Sequence, residues 1–135
     1  KVEVLPHAEI IFRNFPDDKP KIVNYAAKWD QESPEFTGTP CTFDFPESDR
    51  RLLKKLNEIS MECWKIFSLS GYARVDFRVD ESEIPWVLEV NANPCLSPDA
   101  GFFAACLRAD MDAMTMADRI VADALDRYKG EIWAK

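Results

Sequence analysis

An arginine, two carboxylates and an amide follow strand-like spacing in two neighbouring segments of the chain. The first segment carries Arg74 and Asp76, and the second carries Glu89 and Asn91. Because side chains alternate between the two faces of a strand, each pair lies on one face. If the connection between the segments closes symmetrically, they form a hairpin in which Asp76 lies opposite Glu89 and Arg74 lies opposite Asn91.

This face predicts a divalent-metal site beside a fixed cation. Carboxylates that face each other across a ladder repel, by roughly 4 kcal/mol for a 4 Å pair at an effective dielectric of 20. Arg74 supplies part of the charge that offsets this repulsion. Carboxylate and amide oxygens are the hard ligands that Mg²⁺ prefers, often together with substrate phosphates. The alternative is a surface hairpin with Arg–Asp and Asn–Glu pairs and no ligand.

The opposite face of the same hairpin is apolar, and we expect it to belong to the core. A hairpin with one buried face has little reason to keep a charged face that is only solvated. The residues predicted to be buried there are Val75, Phe77, Val79, Trp86, Leu88 and Val90.

Composition restricts the class of protein. The 135 residues, 47% of them hydrophobic, predict one domain over residues 1–135 with an adequate core. No apolar run suggests a membrane span or a signal peptide, so we expect a cytoplasmic protein with no membrane partner. The net charge of −7 without a basic stripe argues against a nucleic-acid surface. One histidine and four cysteines without a C-x-x-C pair provide no zinc-ligand set.

The pattern along the chain predicts an α+β fold, an antiparallel sheet with helices on one face. We expect extended structure over residues 2–15 with a buried strand at Ile10–Phe12, a second short run within residues 21–29, and a long loop over residues 30–46. Such a loop is either a functional lid or a wandering surface segment.

Three helices are predicted in the second part of the chain. Ser48 caps the first, which ends before Gly71. Ser97 and Pro98 open the second, which runs to Arg108. Asp110 caps the third, which runs to Gly130, and its inward residues are predicted to be Met111, Met114, Ala117, Ile120 or Val121, Ala124, Leu125 and Tyr128. Because the chain starts without methionine in an extended segment, we expect it to be a piece of a larger protein.

At Arg74–Asp76 and Leu88–Pro94 the sequence resembles the carboxy-terminal part of ATP-grasp enzymes, most closely the D-alanine–D-alanine ligase group. Two upstream stretches, Val4–Ile10 and Asn24–Trp29, resemble the strand after the family's nucleotide hinge and the motif before its mobile loop. The resemblance covers most of the chain and implies the terminal lobe of an ATP-grasp fold.

The resemblance implies a role for each residue of the polar face. Asp76, Glu89 and Asn91 match the ligands that hold two Mg²⁺ ions, for which Mn²⁺ can substitute, between the phosphates of ATP. Arg74 matches the arginine that steadies the acyl phosphate and the tetrahedral intermediate, where a fixed cation is useful because charge develops there.

Further residues match the family less closely. Lys28 matches a lysine that approaches the γ-phosphate, although without its motif it would be taken for a surface lysine. Leu88 matches a residue against adenine, although simple alternation directs it to the core. Cys95 stands where the dipeptide-forming ligases have glycine, and their acceptor-binding serine falls on Ala100 here. Ser97 or Asp99 is then a candidate to compensate in binding the substrate.

The resemblance implies a reaction that forms a C–N bond. A carboxylate attacks the γ-phosphate of ATP, and an amine then displaces phosphate from the acyl phosphate. The expected partners are ATP, a small carboxylate and amine, and the remainder of the same chain, without which we expect no activity. A non-catalytic module that keeps this lobe, and carboxylating or carbamoyl-transferring relatives, are the alternatives. The oligomeric state is open, with a homodimer as one option.

Overall fold

The computed structural model describes residues 1–15, 19–30 and 32–132. The chain divides into two compact units, one formed by Lys1–Pro6 together with the chain from Pro46 onward, and the other by His7–Phe45. The single domain predicted for residues 1–135 stays a prediction. All described strand pairs are antiparallel, which with the helices confirms the α+β class.

The unit His7–Phe45 contains four short elements. In chain order they are β1 (Glu9–Ile10), α1 (Tyr25–Trp29), α2 (Pro34–Thr37) and β2 (Cys41–Thr42). β1 pairs with β2, with Glu9 opposite Thr42 and Ile10 opposite Cys41. Ile10 is 42% exposed. The prediction of a buried strand over Ile10–Phe12 is therefore wrong in both its bounds and its burial.

Two capping residues explain why this unit contains helices where extended or irregular structure was predicted. The Asn24 Oδ1 accepts a hydrogen bond from the Ala27 amide at 2.9 Å, which starts α1 inside the predicted run 21–29. The Ser33 hydroxyl accepts from the Phe36 amide at 3.0 Å, and Pro34 occupies the first turn of α2. The predicted irregular loop 30–46 therefore contains a helix and a strand.

The other unit carries the hairpin and the three longer helices. Its elements are a 3₁₀ turn (Glu47–Asp49), α3 (Arg50–Ile66), β3 (Arg74–Val79), β4 (Pro85–Asn91), α4 (Gly101–Arg108) and α5 (Ala113–Ile132). Each predicted helix exists, but each begins two to four residues later than its predicted cap.

The helix starts and ends follow local hydrogen bonding. Ser48 lies within the 3₁₀ turn, where its hydroxyl donates to the Asp49 carboxylate. Asp112 rather than Asp110 caps α5, since its Oδ1 accepts from the Thr115 amide at 2.8 Å. At the other end, α3 finishes at Ile66, before Ser68 adopts a positive φ of 49°.

The core of this unit lies between α4 and α5. Cys106, Met111 and Met116 are buried there and are packed against Leu5, Leu96, Phe102, Phe103 and Ile120. Most of the predicted inward set of α5 is wrong, because the exposed apolar residues of that helix include Met114, Val121, Leu125 and Tyr128. α5 carries two apolar stripes, and the periodicity favoured the one that does not face this core.

Among the described helices, none combines the length and the apolar character that crossing a membrane requires.

Candidate functional site

The hairpin brings four of the candidate residues together as predicted. β3 and β4 are antiparallel, with Arg74 opposite Asn91 and Asp76 opposite Glu89. Residues that face each other across a ladder share one face of the sheet. One arginine, two carboxylates and one amide therefore lie side by side, which confirms the expected register at the site.

Arg74 and Asp76 form a two-point ion pair. The guanidinium Nε donates to Asp76 Oδ1 at 2.7 Å, and Nη2 donates to Oδ2 at 2.9 Å. The hydrogen bonds that Arg74 donates to Asp76 raise the pKa of Arg74 above its ordinary value, partial burial opposes this, and the charges of Asp76 and Glu89 add to the increase. Nη1 has no partner among the described residues, so an anionic ligand can be bound there.

Glu89 and Asn91 complete a set of oxygen donors. The Glu89 side chain is exposed and has no hydrogen-bond partner in the described part of the chain. The Asn91 Oδ1 accepts from the Asn93 amide at 2.9 Å and retains a second lone pair. Within residues 1–15, 19–30 and 32–132, no three His, Cys, Asp or Glu side chains are clustered for a metal. A metal ion on this face would need the amide of Asn91 as a third donor, and such an all-oxygen set would suit Mg²⁺ or Mn²⁺.

The hairpin departs from simple alternation beyond the site. A register shift follows Asp76, so that Phe77 lies opposite Val87 and Arg78 lies opposite Trp86. Leu88 has no partner in the ladder, as expected for the extra residue of a β-bulge. It is 67% exposed, and Trp86 is 59% exposed on the polar face. The prediction that both residues belong to the core is therefore wrong.

Lys28 belongs to the other compact unit. It lies in the last turn of α1, and its side chain is exposed. Its predicted approach to a phosphate stays a prediction.

The residues after β4 place a thiol close to a hydroxyl. Pro94 is fully buried, while Cys95 is exposed directly after it. The Cys95 Sγ lies 3.0 Å from the Ser97 Oγ, and this hydrogen bond lowers the pKa of the thiol. The side chain of Ala100, which precedes α4, offers no polar atom. Cys95 and Ser97 thus lie together in the segment that follows the proposed metal ligands.

Sequence reasoning missed Tyr72 and Asn93. The Tyr72 hydroxyl donates to Asn93 Oδ1 at 2.7 Å, so the segments before β3 and after β4 are joined. One signal was available in the sequence. Asn91 and Asn93 are two residues apart, and an asparagine commonly accepts a hydrogen bond from the backbone amide two residues later.

Comparison with known proteins gives one consistent result. A family described as D-ala D-ala ligase C-terminus matches residues 1–122. The chain is 33% identical over 108 residues to a D-alanine–D-alanine ligase of Finegoldia magna, covering 78% of this chain and 29% of that protein. It is 35% identical over 94 residues to the corresponding ligase of Aquifex aeolicus, covering 70% of this chain and 28% of that protein.

Solved structures agree with the sequence relatives. The D-alanine–D-alanine ligase of Bacillus anthracis matches with a TM-score of 0.66 and 26% identity, over 94% of this chain and 37% of that one. The structure of that ligase in complex with ATP matches with a TM-score of 0.63 and 28% identity, over 73% of this chain and 33% of that one. The chain thus spans 28% to 37% of the length of these relatives. It belongs to the D-alanine–D-alanine ligase C-terminal family, with the fold of ATP-grasp ligases.

Proposed function

We propose that this chain supplies the carboxy-terminal part of an ATP-dependent carboxylate–amine ligase that works through an acyl phosphate. One observation carries the proposal: in a chain of this family, Arg74, Asp76, Glu89 and Asn91 lie side by side on one face of the hairpin. A lobe kept only as a structural module would have no need for two carboxylates facing each other beside an arginine.

In the proposed function Asp76, Glu89 and Asn91 hold two Mg²⁺ ions. The donor set fits, because all three residues offer oxygen atoms on one face and substrate phosphates can complete the coordination. Both oxygens of Asp76 accept from Arg74, but a carboxylate oxygen has a further lone pair for a cation. When bound there, Mg²⁺ would supply positive charge that neutralises phosphate oxygens.

Arg74 has the second role. Its contact with Asp76 through Nε and Nη2 fixes the guanidinium plane, and Nη1 remains for an oxygen of the reacting phosphate. A cation fixed before the reaction stabilises developing negative charge without reorganisation at the moment of transfer. Lysine at this position would keep the charge but lose the two-point contact.

Two further residues are assigned to the nucleotide. The exposure of Leu88 supports an adenine contact, since the bulge removes the objection that strand alternation directs its side chain inward. The exposed ammonium of Lys28 is proposed to approach the γ-phosphate. The D-alanine–D-alanine ligase of Bacillus anthracis was solved in complex with ATP, which supports ATP as the nucleotide.

The proposed substrates are a small carboxylate and an amine, such as amino acids or peptides. Cys95 and Ser97 are assigned to the substrate, because they follow the metal ligands and present a thiol and a hydroxyl 3.0 Å apart. The proposal includes a cytoplasmic location, where ATP and free amino acids occur together. We assign the activity to a protein in which this chain is joined to the part that binds the nucleotide.

The test uses the protein encoded by the complete reading frame. It is incubated with ATP, Mg²⁺ and a panel of amino acids, and phosphate release and product mass are measured. Arg74→Lys should lower kcat by two or more orders of magnitude, because a fixed donor to the developing charge is lost. The matched control is Arg51→Lys on the exposed surface of α3, which should leave kcat unchanged.

Two results would contradict the proposal. The first is the absence of ATP-dependent phosphate release with every carboxylate and amine pair, which would favour the non-catalytic module. The second is a normal rate for Arg74→Lys, which would remove Arg74 from the reaction.

A further inference from the structure

A series of side-chain contacts leads from the core of the larger unit to the candidate metal site. Tyr72 lies two residues before β3, and Asn93 lies two residues after β4. The Tyr72 hydroxyl donates to the Asn93 side-chain oxygen at 2.7 Å. This short bond joins the two strand ends on the side of the hairpin where Arg74 and Asn91 pair.

A second hydrogen bond leads from Asn93 to the proposed metal ligand Asn91. The backbone N–H of Asn93 donates to Asn91 Oδ1 at 2.9 Å. A backbone N–H requires an acceptor, so this contact defines which end of the Asn91 amide is oxygen. The same oxygen has a second lone pair, which points away from the bond already made. Fixing Asn93 therefore fixes the direction in which Asn91 offers its oxygen to a cation.

Tyr72 is itself held by the core. Its ring lies 5.5 Å from the ring of Phe102, centroid to centroid, at an angle of 57°. Phe102 lies in α4 and packs against the buried cluster that contains Cys106 and Met116. Directly after Asn93, the side chain of Pro94 is fully buried. The turn that carries Asn93 is thus supported from both sides.

We propose that Tyr72 and Asn93 are positioning residues that orient the Asn91 amide toward the metal ion. This inference rests on the proposed function for the role of Asn91, and it adds two residues that do not touch the ion. A residue that only stabilised the fold would not need a hydroxyl aimed at an exposed amide, because the ring alone provides the contact with Phe102. The hydroxyl is therefore the group to test.

The experiment uses Tyr72→Phe in the 135-residue chain with Mn²⁺ as the probe. The variant keeps the ring on Phe102 and removes one hydrogen bond. Mn²⁺ affinity should fall roughly three- to tenfold, the range expected for one neutral hydrogen bond. Tyr128→Phe is the matched control, since Tyr128 is 62% exposed on α5 and should change nothing.

A second readout is independent of the metal. In the metal-free chain, the side-chain NH₂ signals of Asn91 are followed by ¹⁵N NMR. Tyr72→Phe should shift these signals and lower their order, while thermal stability stays close to that of the control. Asn93→Ala should do the same, and the double variant should show no further loss of Mn²⁺ affinity, because both substitutions break one linkage.

The outcomes separate this inference from the proposed function. If Mn²⁺ broadens signals of Asp76, Glu89 and Asn91 in the native chain, but Tyr72→Phe binds it equally well, the positioning role is wrong and the metal site stands. If Mn²⁺ broadens none of these signals, the metal assignment is wrong. Unchanged Asn91 side-chain signals in Tyr72→Phe would overturn the positioning role in either case.

Discussion

Glu89→Gln should raise the stability of the metal-free chain while weakening its metal binding. The substitution keeps the shape of the side chain and removes one of two charges that face each other across β3 and β4. If Glu89 served to stabilise the fold, the substitution would lower Tm. If Glu89 serves to bind a metal ion, the substitution raises Tm and weakens metal binding. Because none of the described residues donates a hydrogen bond to Glu89, its replacement by glutamine leaves no donor without an acceptor.

The size of the stability change follows from the exposure of the pair. Two unit charges 4 Å apart interact by about 1 kcal/mol at the dielectric of water and about 4 kcal/mol at an effective dielectric of 20. The Asp76 side chain is 35% exposed, Glu89 is exposed, and Arg74 already lies against Asp76, so the lower value applies. The substitution also removes the attraction of Glu89 to Arg74, so relief of at most about 1 kcal/mol is expected, which corresponds to a rise in Tm of up to about 3–5 °C for a chain of this size. High salt should reduce that rise by screening.

The affinity for a divalent metal ion should decrease in Glu89→Gln. Without phosphate, three protein oxygen donors leave a divalent ion mostly hydrated, so Mn²⁺ binding by the native chain should be weak but measurable by paramagnetic broadening at Asp76, Glu89 and Asn91. Loss of one charged ligand should weaken it at least about tenfold. In the protein from the complete reading frame, ATP-dependent phosphate release should fall by orders of magnitude.

Glu81→Gln is the matched control, because Glu81 is exposed in the turn between the strands and the substitution changes the net charge equally. It should leave both Tm and Mn²⁺ affinity close to their native values. The reasoning is refuted if Glu89→Gln binds Mn²⁺ as the native chain does, or if its Tm falls. Broadening confined to the acidic residues of the turn would refute it as well.

Three other predictions concern the segment after the hairpin and its helices. Alkylation at neutral pH, followed by mass spectrometry, should modify Cys95 well before Cys106, because Cys106 is buried and burial raises its pKa. Ser97→Ala should shift the pH midpoint of Cys95 alkylation upward, because the Ser97 hydrogen bond lowers the pKa of that thiol. Asp112→Ala should lower Tm at pH 7, and the difference should vanish as acid protonates the native carboxylate, whose pKa the cap depresses. The protein from the complete reading frame should join two D-alanines poorly, and Cys95→Gly with Ala100→Ser should improve this by about one to two decades, as product mass would show.

The polar face of the hairpin could be predicted because its register depends on neighbours in the sequence. Strand period two and a short connection determine which residues meet, and Arg74 then lies within reach of Asp76 on the same strand. The same register, continued by two residues, places Tyr72 opposite Asn93, but it does not predict the hydrogen bond between their side chains. That bond joins the segments beyond the two strand ends, and its geometry depends on the ring of Phe102 in α4.

The elements of the unit His7–Phe45 were mispredicted for a related reason. β1 and β2 have two residues each, so each exists only through pairing with the other, about thirty residues away. The helices of that unit have only five and four residues, and their start depends on single capping side chains of Asn24 and Ser33. Periodicity needs longer windows than these elements provide.

The bulge at Leu88 shows how a turn can alter the register of a strand pair. Asp80 closes the connection by accepting hydrogen bonds from the Ser82 and Ile84 amides, while its own amide donates to the Ile84 carbonyl. Val79 is thereby paired with Pro85, one residue short of the partner that the site register requires.

β4 compensates for this one-residue difference before the positions of the proposed metal ligands, and it does so through one extra residue, Leu88. Alternation alone could not detect the extra residue, because Trp86, Val87 and Leu88 are all apolar and the sequence does not show which of them is extra. The consequence reaches the proposed function: the bulge that keeps Glu89 opposite Asp76 is also what exposes Leu88. A metal ligand and a proposed adenine contact can then follow each other in the sequence, although an unbroken strand would place them on opposite faces.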